Sequence, residues 1–363
     1  MEWSTNNVYL YGEYKKDQFK IRSKLAMFDL DGTLIQTKTG HKFPKDKNDW
    51  KLFSTNIPKK IKEHSRDFSI IIISNQAGLH NNQKKTDEWK AKLDMITILF
   101  DVPLRVYCST NHDIYRKPYP KFFELMTKEL KQQKIDVDLI NSFYCGDACG
   151  RSSDHSDCDY KFALNSKVNF ILPEKLFDNI QTKVPDIKYP VINEINSYIN
   201  IKQPDFIFTI KEMIIMVGFQ GSGKSTFVNN ILVPLGYVRI NQDLLKTKQK
   251  CLKQVNNEMK LNNSVVIDNT NPSNSIRGEY IKLGYKYGYN IKCVKMDVSE
   301  DYARHNASYR TYKYGIKSMP IAFIMYKKNY NEPLLTEGIN EIIKMKQKLD
   351  KNTLDSDYFM YLI

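Results

Sequence analysis

Two short stretches of this 363-residue sequence hold residue types that can act on phosphorus. The first is Asp29-Leu30-Asp31-Gly32-Thr33, directly behind the apolar run Leu25 to Phe28. A spacing of two keeps both carboxylates on one side of an extended chain, and Gly32 lets the backbone turn away sharply. In such a pair one carboxylate, ionised, attacks phosphorus, while its neighbour carries a proton for the departing oxygen. The second stretch is Gly218-Phe219-Gln220-Gly221-Ser222-Gly223-Lys224-Ser225-Thr226, which fits G-x4-G-K-[ST] after the apolar run Met213 to Val217. Its glycines let backbone amides wrap a phosphate chain at the positive end of a helix expected over Thr226 to Leu232. Lys224 is placed to reach the β and γ phosphates, and Ser225 to hold Mg²⁺. Farther on, Asp243 in Asn241-Gln242-Asp243 is the natural base for an acceptor hydroxyl. Asp268 ends the apolar run Val265 to Ile267, where it would orient Mg²⁺ or support an acceptor loop. Arg304 and Arg310 fall on an expected lid helix.

These residues need elements that bring distant loops together. Apolar runs with strand character recur at Leu25 to Phe28, Ile70 to Ile73, Leu104 to Tyr107, Phe143 to Cys145 and Val168 to Leu172. Segments of helical length, such as Lys84 to Phe100 and Pro120 to Lys134, separate them. Strands alternating with helices predict a parallel sheet covered on both faces, with active sites at the carboxyl ends of strands. The rhythm breaks over Pro173 to Pro204, where Pro173, Pro185, Pro190 and Pro204 punctuate polar sequence. A second alternation then runs through Met213 to Val217, Tyr237 to Ile240, Val265 to Ile267 and Ile291 to Met296. The expectation is an α/β chain of two tandem domains: a tail over 1–20, a first domain over 21–172, a linker over 173–204 and a second domain over 205–363. Ile339 to Leu349, apolar at helical spacing, is expected to dock on the second domain.

Composition narrows the class. A 41% hydrophobic and 12% aromatic share is that of a folded chain, not a disordered one. No run of about eighteen apolar residues offers a membrane span, and the N-terminus lacks a secretory pattern. Six cysteines stand without a disulfide framework. The expectation is an intracellular protein with no membrane partner. The net charge of +14 favours a polyanion such as nucleic acid.

The first motif resembles the haloacid-dehalogenase phosphatase superfamily, and further parts follow in that family's order. Ser74, in Ser74-Asn75-Gln76, stands where the family has a hydroxyl that bonds a phosphate oxygen; Lys117 matches its charge-neutralising lysine. Asp147, in Gly146-Asp147, matches its Mg²⁺-binding carboxylate. The resemblance implies that Asp29 attacks phosphorus to form an aspartyl-phosphate. Asp31 would protonate the departing hydroxyl and then activate water. Mg²⁺ would sit among Asp29, the main-chain carbonyl of Asp31 and Asp147, with Asp154 or Asp159 as a further acidic support. Cys145, Cys149, His155 and Cys158 lie close in sequence, but their spacings do not match paired zinc-binding knuckles.

The fused order, together with Ile267-Asp268-Asn269-Thr270-Asn271-Pro272 and Ala303-Arg304-His305-Asn306, resembles the eukaryotic-type polynucleotide kinase 3′-phosphatases from about Arg22 to Lys346. Phe43-Pro44, Asn48-Asp49-Trp50, Ala77-Gly78, Ala148-Cys149-Gly150-Arg151 and Tyr326-Lys327-Lys328 also fit, as do Pro333 and Glu337-Gly338. The resemblance implies two activities: hydrolysis of 3′-phosphates and ATP-dependent phosphorylation of 5′-hydroxyls at DNA ends. Single-stranded termini, nicks and breaks are the expected partners, with RNA ends as one alternative and small molecules as another. It assigns Asp243 as acceptor base and Arg304 as the lid residue that binds phosphate. It implies nuclear residence, or cytoplasmic if the AT-rich flavour of the composition reflects a viral source; a monomer is expected. The short interval between Thr33 and Ser74 leaves little room for a cap domain, so the phosphatase pocket should admit a polymer end. Three departures stand out. Fewer than thirty residues precede the first motif, so no forkhead-associated domain is expected; Gln242 occupies a position where the family often has Arg; the Gly150–Asp154 loop is short.

Overall fold

The computed structural model describes all residues except 5–7, 43, 203–205 and 208, so Phe43 and Pro204 lie outside the described residues. The chain forms two compact units, Met1–Lys188 with Met360–Leu362, and Tyr189–Phe359 with Ile363.

The first unit is built on a seven-stranded sheet. Its strands are β1 (Glu2–Ser4), β2 (Leu10–Tyr14), β3 (Leu25–Phe28), β6 (Ser69–Asn75), β7 (Leu104–Ser109), β8 (Phe143–Cys145) and β9 (Asn169–Ile171), with a separate small hairpin of β4 (Ile35–Gln36) and β5 (Lys51–Leu52). The order is β1-β2-β7-β6-β3-β8-β9, parallel from β7 to β9. Strands buried on both faces read as unbroken apolar runs, and β3 and β6 do so. Ala26, Phe28, Ile70 and Ile72 enter one core; Leu25, Met27, Ile71 and Ile73 enter the other. Each such side chain, fully buried, contributes about 1.5–3 kcal/mol.

Two stretches of this unit differ from expectation. The expected tail instead carries two strands of the sheet: β2 pairs antiparallel with β7, and β1 antiparallel with β2 at the edge. Trp3 lies over Gly12, where an added Cβ would come within 2.7 Å of its ring, and it packs on Trp89 at 5.7 Å. The aromatic character of this stretch was the signal, hidden by its polar neighbours. The expected linker begins with a helix, Pro173–Asp178, whose Phe177 is buried in the first core. Farther along, the helix Val191–Tyr198 belongs to the second unit.

The second unit is a five-stranded, wholly parallel sheet of β10 (Glu212–Val217), β11 (Val238–Ile240), β12 (Val265–Ile267), β13 (Asn290–Met296) and β14 (Glu341–Met345), in the order β11-β12-β10-β13-β14. The segment Ile339 to Leu349 therefore carries a strand, Glu341–Met345, and not a helix. Ile339 and Ile342 pack on one side of the sheet and Ile343 and Met345 on the other, a two-faced burial that imitates helical spacing. No helix among the described residues is long and apolar enough to cross a membrane.

Candidate active sites

In the first unit, parallel β6, β3 and β8 release their loops at one edge. Asp29 follows β3, Ser74 is the penultimate residue of β6, and Asp147 lies two residues past β8. Asp29 stays in register there, its N–H donating to Cys145 O at 2.9 Å. Carboxylate oxygens of Asp29, Asp147 and Asp159 all lie within 4.8 Å of one another. Lys117, 3% exposed, joins two of them: its Nζ donates to Asp29 at 2.6 Å and Asp159 at 2.7 Å, and also to the Tyr144 hydroxyl at 2.7 Å and Ile73 O at 3.1 Å. Burial holds the Asp29 carboxyl well above its usual range despite Lys117. Burial and then the Asp159 charge push Asp147 up to about 6. Two buried carboxylates and the half-buried Asp147 against one lysine leave negative charge uncompensated, and a hard divalent cation with oxygen ligands fits such a set.

Of Asp154 and Asp159, it is Asp159 that stands in the three-carboxylate group. Asp154 accepts from the N–H groups of Cys149 and Arg151 and pairs with the Arg151 guanidinium at 2.9 Å, so it ties the loop instead. Arg151 in turn donates to Asp147 O at 2.9 Å, fixing that turn, and Thr33 donates to the Asp147 carboxylate at 3.1 Å. The carboxylate of Asp31 stands apart from the three-carboxylate group. It accepts from Gln76 Nε2 at 2.6 Å and from Lys92 Nζ at 3.3 Å, and Gln76 also donates to Ser74 Oγ at 2.9 Å. Asp49, from Asn48-Asp49-Trp50, ties its own loop by accepting from Thr39 and Lys45. Cys145 is buried in the core.

In the second unit the loop Gly218–Gly223 leaves β10 and enters the helix Lys224–Phe227, which continues as the wider turn Val228–Leu232. Gly218, Gly221 and Gly223 all have positive φ, which a side chain would strain. Lys224 Nζ turns into the loop, donating to Gly218 O at 2.9 Å and Phe219 O at 2.6 Å; burial lowers its pKa to about 8. Ser225 donates to Asp268 at 3.1 Å, and Arg239 pairs with the same carboxylate at 2.6 Å. Asn241 caps the helix Gln242–Leu245, which presents Asp243 exposed, its charge felt at Lys224. The Gln242 N–H is held by Asn269 at 2.8 Å. The helix Glu300–Tyr314 lies over the P-loop: Asn306 donates to Gly221 O at 2.8 Å. Arg304 on this helix is tied to Glu300 at 2.7 Å and stacks 4.4 Å from the Phe323 ring, which itself stacks on Phe219 of the loop. It is Arg310 whose charge acts on Lys224. Gln220, Ser222 and Thr226 complete the loop and the first helical turn.

Several residues at these sites were not singled out from sequence. Lys92 carried a readable signal: in the helix Gln83–Phe100 it is a charge on the buried face, three residues after Trp89 and four before Ile96. Tyr144, inside an apolar strand, and Arg239, among apolar β11 residues, carried no local signal for their partners.

Residues 24–177 match the polynucleotide kinase 3 phosphatase family and residues 213–325 match the AAA domain family. The bifunctional polynucleotide phosphatase/kinase of Schizosaccharomyces pombe is 34% identical over 99% of this chain and 88% of its own length. A putative bifunctional polynucleotide phosphatase/kinase of Acanthamoeba polyphaga mimivirus is 35% identical over 98% of this chain and 92% of its own. The polynucleotide 3′-phosphatase of Saccharomyces cerevisiae aligns with 41% of this chain at 28% identity, covering 85% of its own length. With a carboxylate–lysine phosphatase centre in one α/β unit and a P-loop in the other, the chain belongs to the family of bifunctional polynucleotide phosphatase/kinases.

Proposed function

We propose that this enzyme heals broken DNA ends, removing 3′-phosphates in its first unit and phosphorylating 5′-hydroxyls from ATP in its second. The observation that carries the phosphatase half is the Asp29–Lys117–Asp159 cluster at the carboxyl edge of the sheet. Asp29 attacks the phosphorus, and the bond to the 3′ oxygen breaks as Asp31 gives that oxygen a proton. Asp31 then takes a proton from water, which attacks the aspartyl-phosphate and frees Asp29. Ser74 and Lys117 hold the phosphate oxygens, and Gln76 keeps Ser74 and Asp31 in fixed relation. Asp29, Asp147 and the Asp31 main-chain carbonyl would hold Mg²⁺, supported by Asp159, and the ion would offset charge on carboxylate and phosphate alike.

In the kinase half, Asp243 takes the proton of the 5′-hydroxyl as that oxygen attacks the γ phosphorus and ADP departs. Lys224 and the amides of Gly218 to Thr226 bind the donor phosphates. Ser225, whose hydroxyl donates to Asp268, would hold the metal that accompanies ATP. Arg304, which shares the covering helix with Arg310, binds the phosphoryl group in transfer. Acting on DNA ends, the enzyme works in the nucleus, or in the cytoplasm where the DNA is viral.

Labelled oligonucleotide turnover with Mg²⁺ and ATP, using matched DNA and RNA ends, tests this. DNA ends should be dephosphorylated at 3′ and phosphorylated at 5′ at least about tenfold faster than RNA ends or mononucleotides. Equal or better turnover of RNA ends or mononucleotides contradicts it.

A further inference from the structure

Glu337 lies in the turn before β14, and its carboxylate meets a fully buried arginine. Arg277, 0% exposed in the helix Asn274–Tyr287, donates to Glu337 from Nε at 2.8 Å and from Nη2 at 2.6 Å. Its remaining arm, Nη1, donates to the carbonyls of Asn271 at 3.2 Å and Pro272 at 3.1 Å. A buried ion pair adds little net stability, because desolvation offsets most of the attraction. What a planar fork does supply is geometry: here it ties two backbone carbonyls to a carboxylate from a distant turn. Those carbonyls need holding. Asn271 is 2% exposed at φ +42, in a backbone region that costs energy for any side chain.

The loop so clamped, 268–272, carries the acceptor side of the kinase centre. The Asn241 amide donates to Asp268 O at 2.7 Å, and the Gln242 N–H donates to Asn269 Oδ1 at 2.8 Å. These two bonds seat the start of the helix Gln242–Leu245, which presents Asp243. The Asn269 amide also bonds the Tyr280 hydroxyl, one turn beyond Arg277 on the same helix. Toward the nucleotide the link is thinner. The loop meets the P-loop backbone through a longer bond, Gly218 N–H to Thr270 O at 3.3 Å. Asp268, the partner of Ser225, is fixed separately by Arg239 and by its own N–H on Ile240 O at 2.8 Å.

Resting on the kinase reading above, we infer that Arg277 and Glu337 are positioning residues for the acceptor step, acting through Asn269 on Asp243 and touching no substrate. They set where the base stands when it takes the proton of the 5′-hydroxyl, and they leave ATP capture to the P-loop.

Arg277→Lys tests this, because lysine keeps the charge opposite Glu337 but lacks the second fork for the carbonyls. In the full chain, single-turnover transfer to a 5′-hydroxyl oligonucleotide should fall about tenfold to a hundredfold, the effect of a slightly misplaced base. Equilibrium binding of a fluorescent ATP analogue should stay within about threefold, which also shows that the second unit is folded. Asn269→Ala cuts the link at its other end and should behave alike. The deciding measurement is a double-mutant cycle with Asp243→Ala. If both variants act through that base, neither should lower the residual transfer of Asp243→Ala by more than about twofold. Losses as large in that background as in the parent, unchanged transfer in Asn269→Ala, or loss of ATP binding together with transfer in Arg277→Lys would each overturn the positioning role. Normal transfer by Asp243→Ala itself would sink the base assignment, and this inference with it.

Discussion

At the scale of the residue, Asp31 is gripped from two sides, by Gln76 at 2.6 Å and by a lysine ammonium at 3.3 Å whose own side chain is 4% exposed. A buried ammonium keeps the carboxylate aimed where a proton must be delivered and recovered. Lys92→Met should therefore lower kcat for 3′-phosphate release by about tenfold to a hundredfold, with KM little changed, because Lys92 touches Asp31 and not the phosphate group's ligands. Steady-state kinetics on one oligonucleotide checks this; a rise in KM with kcat intact would place Lys92 in strand binding. Lys117 sits deeper. Burial would lower its ammonium, but Asp159 and Asp29 beside it raise it above the ordinary lysine value. It thus remains charged beside the nucleophile at any physiological pH.

At the scale of the element, the helix Glu300–Tyr314 governs the kinase loop. Asn306 bonds Gly221 O, and an added Cβ at Gly221, at φ +81, would come within 2.2 Å of Ala303 O. Gly221→Ala should push this helix off the loop and cost 5′ phosphorylation roughly a hundredfold, read by phosphate transfer from labelled ATP. The same helix is pinned by His305, whose ring nitrogens meet the Tyr189 hydroxyl and Tyr358 O, each at 2.8 Å. Burial lowers His305 to about 4, so the folded unit keeps it neutral where an unfolded chain, with a histidine near 6.5, would protonate it. Its contribution is complete above about pH 6.5 and is lost as pH falls toward 4. Between pH 7 and 5 it should amount to about 2 kcal/mol, seen as the part of the urea-stability change that His305→Asn removes.

The strands that carry these groups were legible because β3, β6, β10 and β12 are unbroken apolar runs ending in Asp, Ser or Gly. What the sequence hid was partnership. β1 and β2 gain stability only against β7 and Trp89, and β14 serves two faces at once. Arg304 had the expected position on the expected helix, yet its guanidinium is held by Glu300 one turn away, an i,i+4 pair that local sequence offered but could not weigh against a phosphate.

At the scale of the molecule, each α/β unit carries its own site: Asp29, Asp147 and Lys117 belong to the first, Lys224, Ser225 and Asp268 to the second. A net charge of +14 suits both to the same polyanion and makes salt a shared control on strand capture. The two phosphoryl-transfer centres should work independently, and paired single substitutions test this. Asp29→Ala and Lys224→Ala are each assayed on one substrate bearing a 3′-phosphate and a 5′-hydroxyl. Asp29→Ala should lose phosphate release by at least about a thousandfold while phosphorylating 5′ ends normally, and Lys224→Ala should do the reverse. Loss of both activities in either folded variant would contradict that independence.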